Sequence, residues 1–273
     1  MHSSLLRRTA ALATVLSLAA AGTAAATNRG AQSSRTLFAT TDQGQLIQFE
    51  SKRPERIESY RTITGLPAGV TLAGIDFRPA TGDLYGVGSD SVVYRVNPRT
   101  AIAVAEGPAF TPGINGRSFG VDFNPVVDKI RVVSDAGQNL RLNVDEGTVL
   151  SNDKMLNPGM PRVVAAGYAN SSFSATRPTA TTLYVVDSAK DTISVQNPPN
   201  DGTLTNPVRL PFDVSDQTGF DVAGAENTGY LATATRRGSA LYTVDPATGR
   251  SRFQGLIGGG RRLGITGLAA WQD

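Results

Sequence analysis

The chain of 273 residues contains no cysteine, so a disulfide framework, a thiol nucleophile and a cysteine-ligated zinc site are excluded. Its single histidine is His2, and a chain that loses this residue with a leader cannot form a Ser-His-Asp triad. The 26 basic and 23 acidic residues include no cluster that indicates binding to nucleic acid or to an anionic membrane.

Residues 1–26 are predicted to be a signal peptide. Arg7 and Arg8 precede an apolar run at residues 10–21, and residues 24–26 supply an A-x-A cleavage site. The run is shorter than the roughly 20 residues that a membrane span needs. The adjacent arginines permit a twin-arginine route, but the usual flanking residues are missing, which favours ordinary secretion. We therefore expect a secreted or extracytoplasmic monomer with no membrane span and, after cleavage, a net charge of +1.

The next residues, 27–35, are small and polar and predict a disordered lead-in to a single domain at residues 36–273. The domain begins with three strand-like runs, at residues 37–40, 46–49 and 57–63. Polar turns rich in glycine and proline separate these runs.

A repeat then starts at Gly74 and recurs through the rest of the chain. The motif Gly-x-Asp is clear in three copies, and weaker copies begin at Gly167 and Gly267 with alanine in place of the aspartate. The first residues of the five copies are Gly74, Gly120, Gly167, Gly219 and Gly267, at spacings of 46, 47, 52 and 48 residues. A period of this length, filled with short apolar strands, is typical of propeller blades.

Four repeats are complete, and each predicts a meander of four strands. The N-terminal segment has three strands and lacks the Gly-x-Asp strand, whereas residues 265–271 form that strand alone. Joining the two ends would complete a fifth blade and leave no open sheet edge. We therefore predict an all-β fold, a five-bladed β-propeller of four-stranded antiparallel blades, whose last blade is closed by the N- and C-terminal strands. The alternative is an open structure of two β-sheets.

Several motifs within these repeats are similar to a known family. Residues 119–125, 131–134 and 137–141, together with the turn at residues 197–202, resemble the bacterial family called domain of unknown function 4394. The resemblance extends from Leu37 to Ala270. It implies an exported β-protein built from repeats, and it assigns no catalytic residue.

The second repeat differs from the others by two arginines on its middle strands. Our alignment of the repeats places Arg131 with Tyr85, Tyr184 and Leu231, and it places Arg141 with Val93 and Leu241. Because neighbouring blades normally cover such positions with apolar side chains, both arginines should be buried, face each other and contact an anion.

Two sources of the anion remain open. Internal acids could neutralise the pair in a structural network, with Asp122, Asp128 and Asp145 as the candidates. Alternatively, Arg131 and Arg141 could bind a carboxylate, phosphate or sulfated ligand, with amide contacts from Gln138, Asn139 and Asn143.

Asp76, Asp122 and Asp221 occupy the same place in three repeats. If their strand is innermost, the carboxylates approach the ring axis, where they could hold a divalent cation such as Ca²⁺ or act as a glycosidase-like acid–base pair. In the alternative interpretation each carboxylate accepts N–H bonds from its own turn. The presence of Ala169 and Ala269 in the other two repeats favours this structural role.

We therefore favour a non-catalytic exported propeller that binds a ligand or partner at one mouth of the ring. The partner could be a small molecule, a glycan or a protein. The alternative is an extracellular hydrolase or lyase, dependent on carboxylates or a metal, that acts on a small molecule or glycan. A third possibility is a structural or surface-interaction protein without a small-molecule site.

Overall fold

In the computed structural model, residues 33–174, 176–224 and 226–272 are described. The predicted signal peptide and most of the predicted lead-in lie outside these residues. The described chain forms five four-stranded antiparallel sheets arranged as a β-propeller, which confirms the predicted fold. None of the helices in this part of the chain has the length and apolar character needed to cross a membrane.

The strands follow the chain blade by blade. The closing blade begins with β1 (Thr36–Thr41), β2 (Gln45–Glu50) and β3 (Arg53–Thr62). Blade 1 contains β4 (Leu72–Phe77), β5 (Leu84–Gly88), β6 (Val93–Val96) and β7 (Ala103–Ala105). Blade 2 contains β8 (Phe119–Asn124), β9 (Lys129–Ser134), β10 (Asn139–Asn143) and β11 (Thr148–Asn152).

The second half repeats the pattern. Blade 3 contains β12 (Val163–Tyr168), β13 (Leu183–Asp187), β14 (Thr192–Gln196) and β15 (Leu204–Arg209). Blade 4 contains β16 (Thr218–Ala223), β17 (Thr228–Thr235), β18 (Gly238–Val244) and β19 (Ser251–Leu256). Finally, β20 (Ile265–Ala270) returns to the closing blade, where it is the innermost strand.

The closing blade joins the two chain ends, as predicted. Strand β20 pairs antiparallel with β1, with Ala39 opposite Leu268 and Leu37 opposite Ala270. The amide of Trp271 extends the pairing by donating to the carbonyl oxygen of Thr36 at 2.9 Å. The sheet therefore leaves no free inner edge at the junction of the two ends.

Glycine allows the innermost strands to approach closely around the axis. Strands β4, β8, β12, β16 and β20 each contact the next, and β20 contacts β4. A methyl group added at Gly120 would lie 2.5 Å from the amide nitrogen of Ala166, and one at Gly219 would lie 2.8 Å from that of Leu268. The axial cavity among these strands measures only about 10 Å³. The repeated glycine is thus explained by backbone packing.

Equivalent residues of adjacent inner strands meet in the same order, since Gly74 faces Val121 and the later Asp76 bonds to Phe123, so the inner strands run in the same direction. We call the end of the ring where these strands begin the first mouth, and the end where they finish the second mouth. The apolar core lies between adjacent blades, where the two faces of neighbouring sheets meet. Between the closing blade and blade 1, for example, Phe38, Phe77 and Leu84 are buried in one cluster.

The third repeat is shifted by two residues relative to our sequence alignment. Gly167 lies opposite Tyr184 in its sheet, as Asp76 lies opposite Tyr85. Gly167 therefore occupies the aspartate position, and Ala169 lies beyond it. The shift of two residues kept the alternation of side chains between the two faces, so the sequence pattern could not reveal it.

Candidate functional site

Asp76, Asp122 and Asp221 meet near the axis. One carboxylate oxygen from each residue lies within 4.8 Å of the others, and all three residues are buried. They come from the inner strands of blades 1, 2 and 4, so their convergence depends on the closed ring.

Each of these carboxylates accepts a hydrogen bond from the backbone of another blade. The bonds join Asp76 to Phe123, Asp122 to Tyr168 and Asp221 to Ala270, with distances of 2.7, 3.0 and 2.6 Å between carboxylate oxygen and amide nitrogen. Asp76 also accepts from the amide of Phe77 on its own strand. The carboxylates therefore connect each inner strand to a neighbouring one, whereas the sequence had suggested bonds within each turn.

Burial and mutual repulsion favour the protonated forms of this cluster. Burial raises the pKa of Asp122, and the nearby charges of Asp76 and Asp221 raise it further. Burial likewise raises the pKa of Asp76, with a contribution from Asp221. Burial raises the pKa of Asp221 to about 6, against the opposing effect of its hydrogen bonds to Ala270 and Val222. Three buried carboxylates cannot all be ionised without protons or a cation between them.

The surroundings of the cluster do not suit hydrolysis of a glycan. The axial cavity is lined by residues one and two positions before the aspartates, including Gly74 and Ile75, and it holds about 10 Å³. A sugar ring cannot enter a space of that size. Oxygen ligands at this separation are compatible with a hard cation. Binding of a divalent ion such as Ca²⁺ by Asp76, Asp122 and Asp221 therefore stays a prediction.

We expect the cluster of aspartates to make the protein less stable as pH rises. Because the folded-state pKa of Asp221 is raised, the native chain binds more protons than the unfolded chain between pH about 4 and about 6. The free energy of unfolding should therefore fall across this range as pH rises, by roughly 2–3 kcal/mol for this residue. Urea titrations at pH 4, 5, 6 and 7 with a chelator present measure the change.

The matched variant is Asp221→Asn. Its amide oxygen can still accept a hydrogen bond from Ala270, but the side chain is neutral and does not titrate. It should lose this part of the pH dependence and gain stability relative to the wild type at pH 7. Equal pH slopes for the two proteins would contradict protonation of the cluster. If Ca²⁺ instead raises the stability of the wild type at pH 7 and leaves Asp122→Asn unchanged, the cation interpretation is supported.

The arginines of the second repeat also meet as predicted. Arg131 and Arg141 lie directly opposite each other on β9 and β10. Both donate to the same oxygen, Oδ2 of Asp153, at 2.7 Å. The side chain of Arg131 is 2% exposed and that of Arg141 is 29% exposed, so the first is buried and the second reaches the surface.

The acid that neutralises them is none of the three candidates. Asp153 directly follows β11, and its amide donates to the carbonyl oxygen of Asn139 on β10 at 2.9 Å, a continuation of the strand pairing that the sequence did not indicate. Asp128 and Asp145 pair instead with Arg78, each at 2.7 Å. Burial alone would raise the pKa of Asp153, but hydrogen bonds from Arg141 and neighbouring donors hold it below its ordinary value.

The other donors of Arg131 are bound within the protein as well. Its nitrogens donate to Asn139, Asn200 and the hydroxyl of Tyr168, at 2.7, 2.9 and 3.4 Å respectively. Asn200 and Tyr168 belong to blade 3 and its loop, so the buried arginine connects blade 2 to blade 3. The arrangement describes a structural ion-pair network.

The remaining residues of the predicted anion site have internal partners too. Asn139 donates to the carbonyl oxygens of Lys154 and Pro199, each at 3.0 Å. Gln138 donates to the carbonyl of Gly113, and Asn143 accepts from Lys129. Binding of an external anion by Arg131, Arg141, Gln138, Asn139 and Asn143 stays a prediction.

Strand pairing corrects the alignment that first singled out the two arginines. The partner of Asp221 is Tyr230, so Tyr230 and not Leu231 corresponds to Arg131. The residues opposite Tyr85 and Tyr230 are Arg95 and Thr243, and these correspond to Arg141 in place of Val93 and Leu241. The sequence did not show where each hairpin closes.

A larger cleft, which sequence reasoning missed, opens between the closing blade and blade 1 at the second mouth. Its volume is about 480 Å³. The closing blade contributes Phe38, Gln48 and Trp271 to its walls, and blade 1 contributes Asp83, Asn97 and Arg99. The closing-blade wall combines residues from both ends of the sequence, and only the pairing of β20 with β1 brings Trp271 to the cleft.

Trp271, the single tryptophan of the chain, is held at the edge of this cleft. Its ring packs edge-on against Phe77 and Phe173, with centroid distances of 5.1 and 4.8 Å. Arg35 donates to its carbonyl oxygen at 2.8 Å. The residue nevertheless remains 40% exposed, so an anchored indole is available to a ligand.

Comparison with known proteins identifies a family but no activity. A family model described as "Domain of unknown function (DUF4394)" matches residues 45–269, which confirms the resemblance seen in the sequence. No curated protein matches the chain.

Several solved structures are similar to parts of the chain at low sequence identity. A structural genomics protein of unknown function from Bacteroides thetaiotaomicron VPI-5482 is 15% identical, with a TM-score of 0.49 over 82% of this chain and 58% of that one. The Dos1 propeller is 10% identical, with a TM-score of 0.42 over 77% and 54% of the two chains. Kuenenia stuttgartiensis hydrazine synthase is 13% identical, with a TM-score of 0.43 over 72% of this chain and 52% of that one. This chain thus matches between about half and three fifths of the length of each structure.

Proposed function

The chain belongs to the DUF4394 family, and we propose that it is an exported, non-catalytic propeller that binds a neutral saccharide in the Trp271 cleft. The observation that carries the proposal is the exposed, anchored indole on one wall of a cleft of about 480 Å³. A cleft of that volume falls within the range of about 300–1,000 Å³ that is usual for ligand sites.

The chemistry of the two walls suits a sugar. The apolar face of a pyranose ring packs against indole, because both surfaces consist of carbon and C–H groups and both rings are rigid. Across the cleft Asp83, Asn97 and Arg99 offer carboxylate, amide and guanidinium groups. These groups can donate hydrogen bonds to sugar hydroxyls and accept hydrogen bonds from them. Gln48 adds a further amide beside Phe38.

The same residues support binding without hydrolysis. Most glycoside hydrolases use two carboxyl groups that flank the scissile bond. Among the described residues that line the cleft, Asp83 is the only carboxylate. The cleft therefore lacks the second carboxyl group that the usual mechanism requires.

Export is the other part of the proposal, and the N-terminal pattern supports it. The positive pair Arg7 and Arg8, the short apolar run and the A-x-A site are the features that a secretion system recognises. Expression with and without residues 1–26 tests it. The full chain should appear outside the cytoplasm as a product shortened by about 26 residues, and the shortened chain should remain inside.

Fluorescence of Trp271 tests saccharide binding directly, because it is the only tryptophan. Titration with neutral oligosaccharides should shift and saturate its emission. Asp83→Ala should weaken binding about tenfold, equivalent to about 1.4 kcal/mol. The matched control Asp213→Ala removes an exposed carboxylate outside the cleft and should leave affinity unchanged. Unchanged emission with every sugar up to millimolar concentration would rule the proposal out.

A further inference from the structure

Four exposed arginines that are separated in sequence meet at the first mouth. Arg236 and Arg237 form the turn between β17 and β18, whereas Arg261 and Arg262 lie in the segment before β20. A methyl group added at Gly238 would lie 2.8 Å from the carbonyl oxygen of Arg261. The two arginine pairs thus lie on loops in direct contact. We call these four residues the arginine patch.

The patch borders a cavity of about 370 Å³ between blade 4 and the closing blade. Arg236 and Arg262 line it, together with the polar side chains of Gln217 and Ser239. The hydroxyl of Ser239 donates to the carbonyl oxygen of Leu263, which fixes the segment that carries the second arginine pair. The guanidinium groups therefore surround a recess formed by two blades.

The charge of the patch is largely uncompensated. Among the described residues, none of the four arginines forms an ion pair, whereas Arg78 and Arg131 at other places in the ring are paired. Asp42 lines the same cavity and is the only carboxylate among the described residues of its lining. Four positive groups against one negative group leave a local excess of three charges in a chain whose predicted exported form is nearly neutral.

Such a recess attracts a ligand with several negative groups. A guanidinium group binds sulfate, phosphate or carboxylate through two parallel hydrogen bonds. A cleft lined by positive charges concentrates the electrostatic field and raises the local concentration of anions. Because the arginines occupy two adjacent loops, a ligand with at least two anionic groups can engage both pairs.

We propose that the arginine patch binds an acidic polysaccharide, with sulfate or carboxylate groups held by Arg236 and Arg262 in the cavity. A recess between blades admits one extended chain more readily than it fits a flat bilayer. Surfaces that bind membranes also insert apolar side chains beside their basic residues, and the described lining offers only Ala234 and the buried Leu263. This site is separate from the Trp271 cleft, which lies at the other mouth.

Dextran sulfate and neutral dextran are matched probes because they differ in the sulfate groups. In calorimetric titrations at low salt, the wild type should bind dextran sulfate and should not bind dextran at the patch. Arg236→Ala/Arg262→Ala should lower the affinity for dextran sulfate at least tenfold. The affinity of the wild type should also fall more steeply with salt than that of the variant, because fewer ionic contacts remain.

The control is Arg209→Ala/Arg250→Ala, a pair of exposed arginines on adjacent segments of blades 3 and 4. It should change affinity by less than twofold. Circular dichroism and thermal unfolding should show all three proteins equally folded, because substitutions at exposed positions outside caps and ion pairs change stability little. Equal losses in both double variants would overturn the proposal, as would no binding of dextran sulfate by the wild type. Tighter binding to phosphatidylglycerol vesicles or duplex DNA than to dextran sulfate would also overturn it.

Discussion

Replacing Gly120 by alanine is expected to destabilise the protein by about 3–5 kcal/mol, enough to unfold a marginally stable domain. The added methyl group would lie 2.5 Å from the amide nitrogen of Ala166 and 2.7 Å from the carbonyl carbon of Ala165. Both are backbone atoms of the neighbouring inner strand and cannot rotate away. Relief therefore requires β8 and β12 to separate, which disturbs the whole ring. Urea unfolding followed by circular dichroism measures the loss.

Gly44→Ala is the matched control. A methyl group there would meet no atom of the described residues within 4 Å, although the backbone is left-handed with φ +74°. Gly44→Ala should therefore cost only the strain of an alanine in the left-handed conformation, about 1–2 kcal/mol. If the two alanine variants lost equal stability, close approach of the inner strands would not be the reason for the repeated glycine.

Replacing Arg131 by alanine is expected to cost about 3–5 kcal/mol, because it leaves buried polar groups without a partner. Of its side-chain donors within the described chain, Asp153 would keep only Arg141 and Ser151, and the amide oxygen of Asn200 would lose its donor. The contacts between blades 2 and 3 would weaken together. Chemical unfolding of Arg131→Ala and of Asp153→Asn measures the effect, and each should lower the free energy of unfolding substantially.

The control for this prediction is Arg162→Ala. Arg162 also pairs with an aspartate, Asp216 at 3.6 Å, but the two side chains are 53% and 48% exposed. Exposed pairs of this kind contribute about 0–1 kcal/mol. A loss for Arg131→Ala no larger than for Arg162→Ala would show that the network does not hold the two blades together.

The architecture was predictable because it repeats. A spacing near 47 residues, four short strands per period and incomplete segments at both ends together specify five blades and their closure. The convergence of Asp76, Asp122 and Asp221 followed from the same repetition, since equivalent positions on inner strands face one axis.

Contacts made by loops and chain ends outside the repeated strands were not predictable. Asp153 neutralises two arginines from a segment after the outer strand, and no pattern within one repeat indicates where that segment folds. The shift at Gly167 preserved strand periodicity and so escaped detection. The Trp271 cleft combines both chain ends, and the arginine patch combines loops of two blades. Single-sequence periodicity describes the blades but not the surfaces formed between them.

The closing blade is the feature on which the other conclusions depend. The amide of Trp271 can donate to Thr36 only if β20 lies beside β1. Asp221 can accept a hydrogen bond from the amide of Ala270 only if β20 lies against blade 4. The absence of cysteine from the sequence makes this pairing directly measurable by disulfide formation.

The most direct measurement introduces two cysteines, Ala39→Cys and Leu268→Cys, at positions directly opposed across β1 and β20. Mild oxidation of the native protein should form an intramolecular disulfide, detected by mass and by mobility without reductant. The pair Ala39→Cys and Ala269→Cys should stay reduced, because neighbouring residues of a strand project to opposite faces. Thiols that remain free in the first pair, or that join only separate chains, would contradict a ring closed by its two ends.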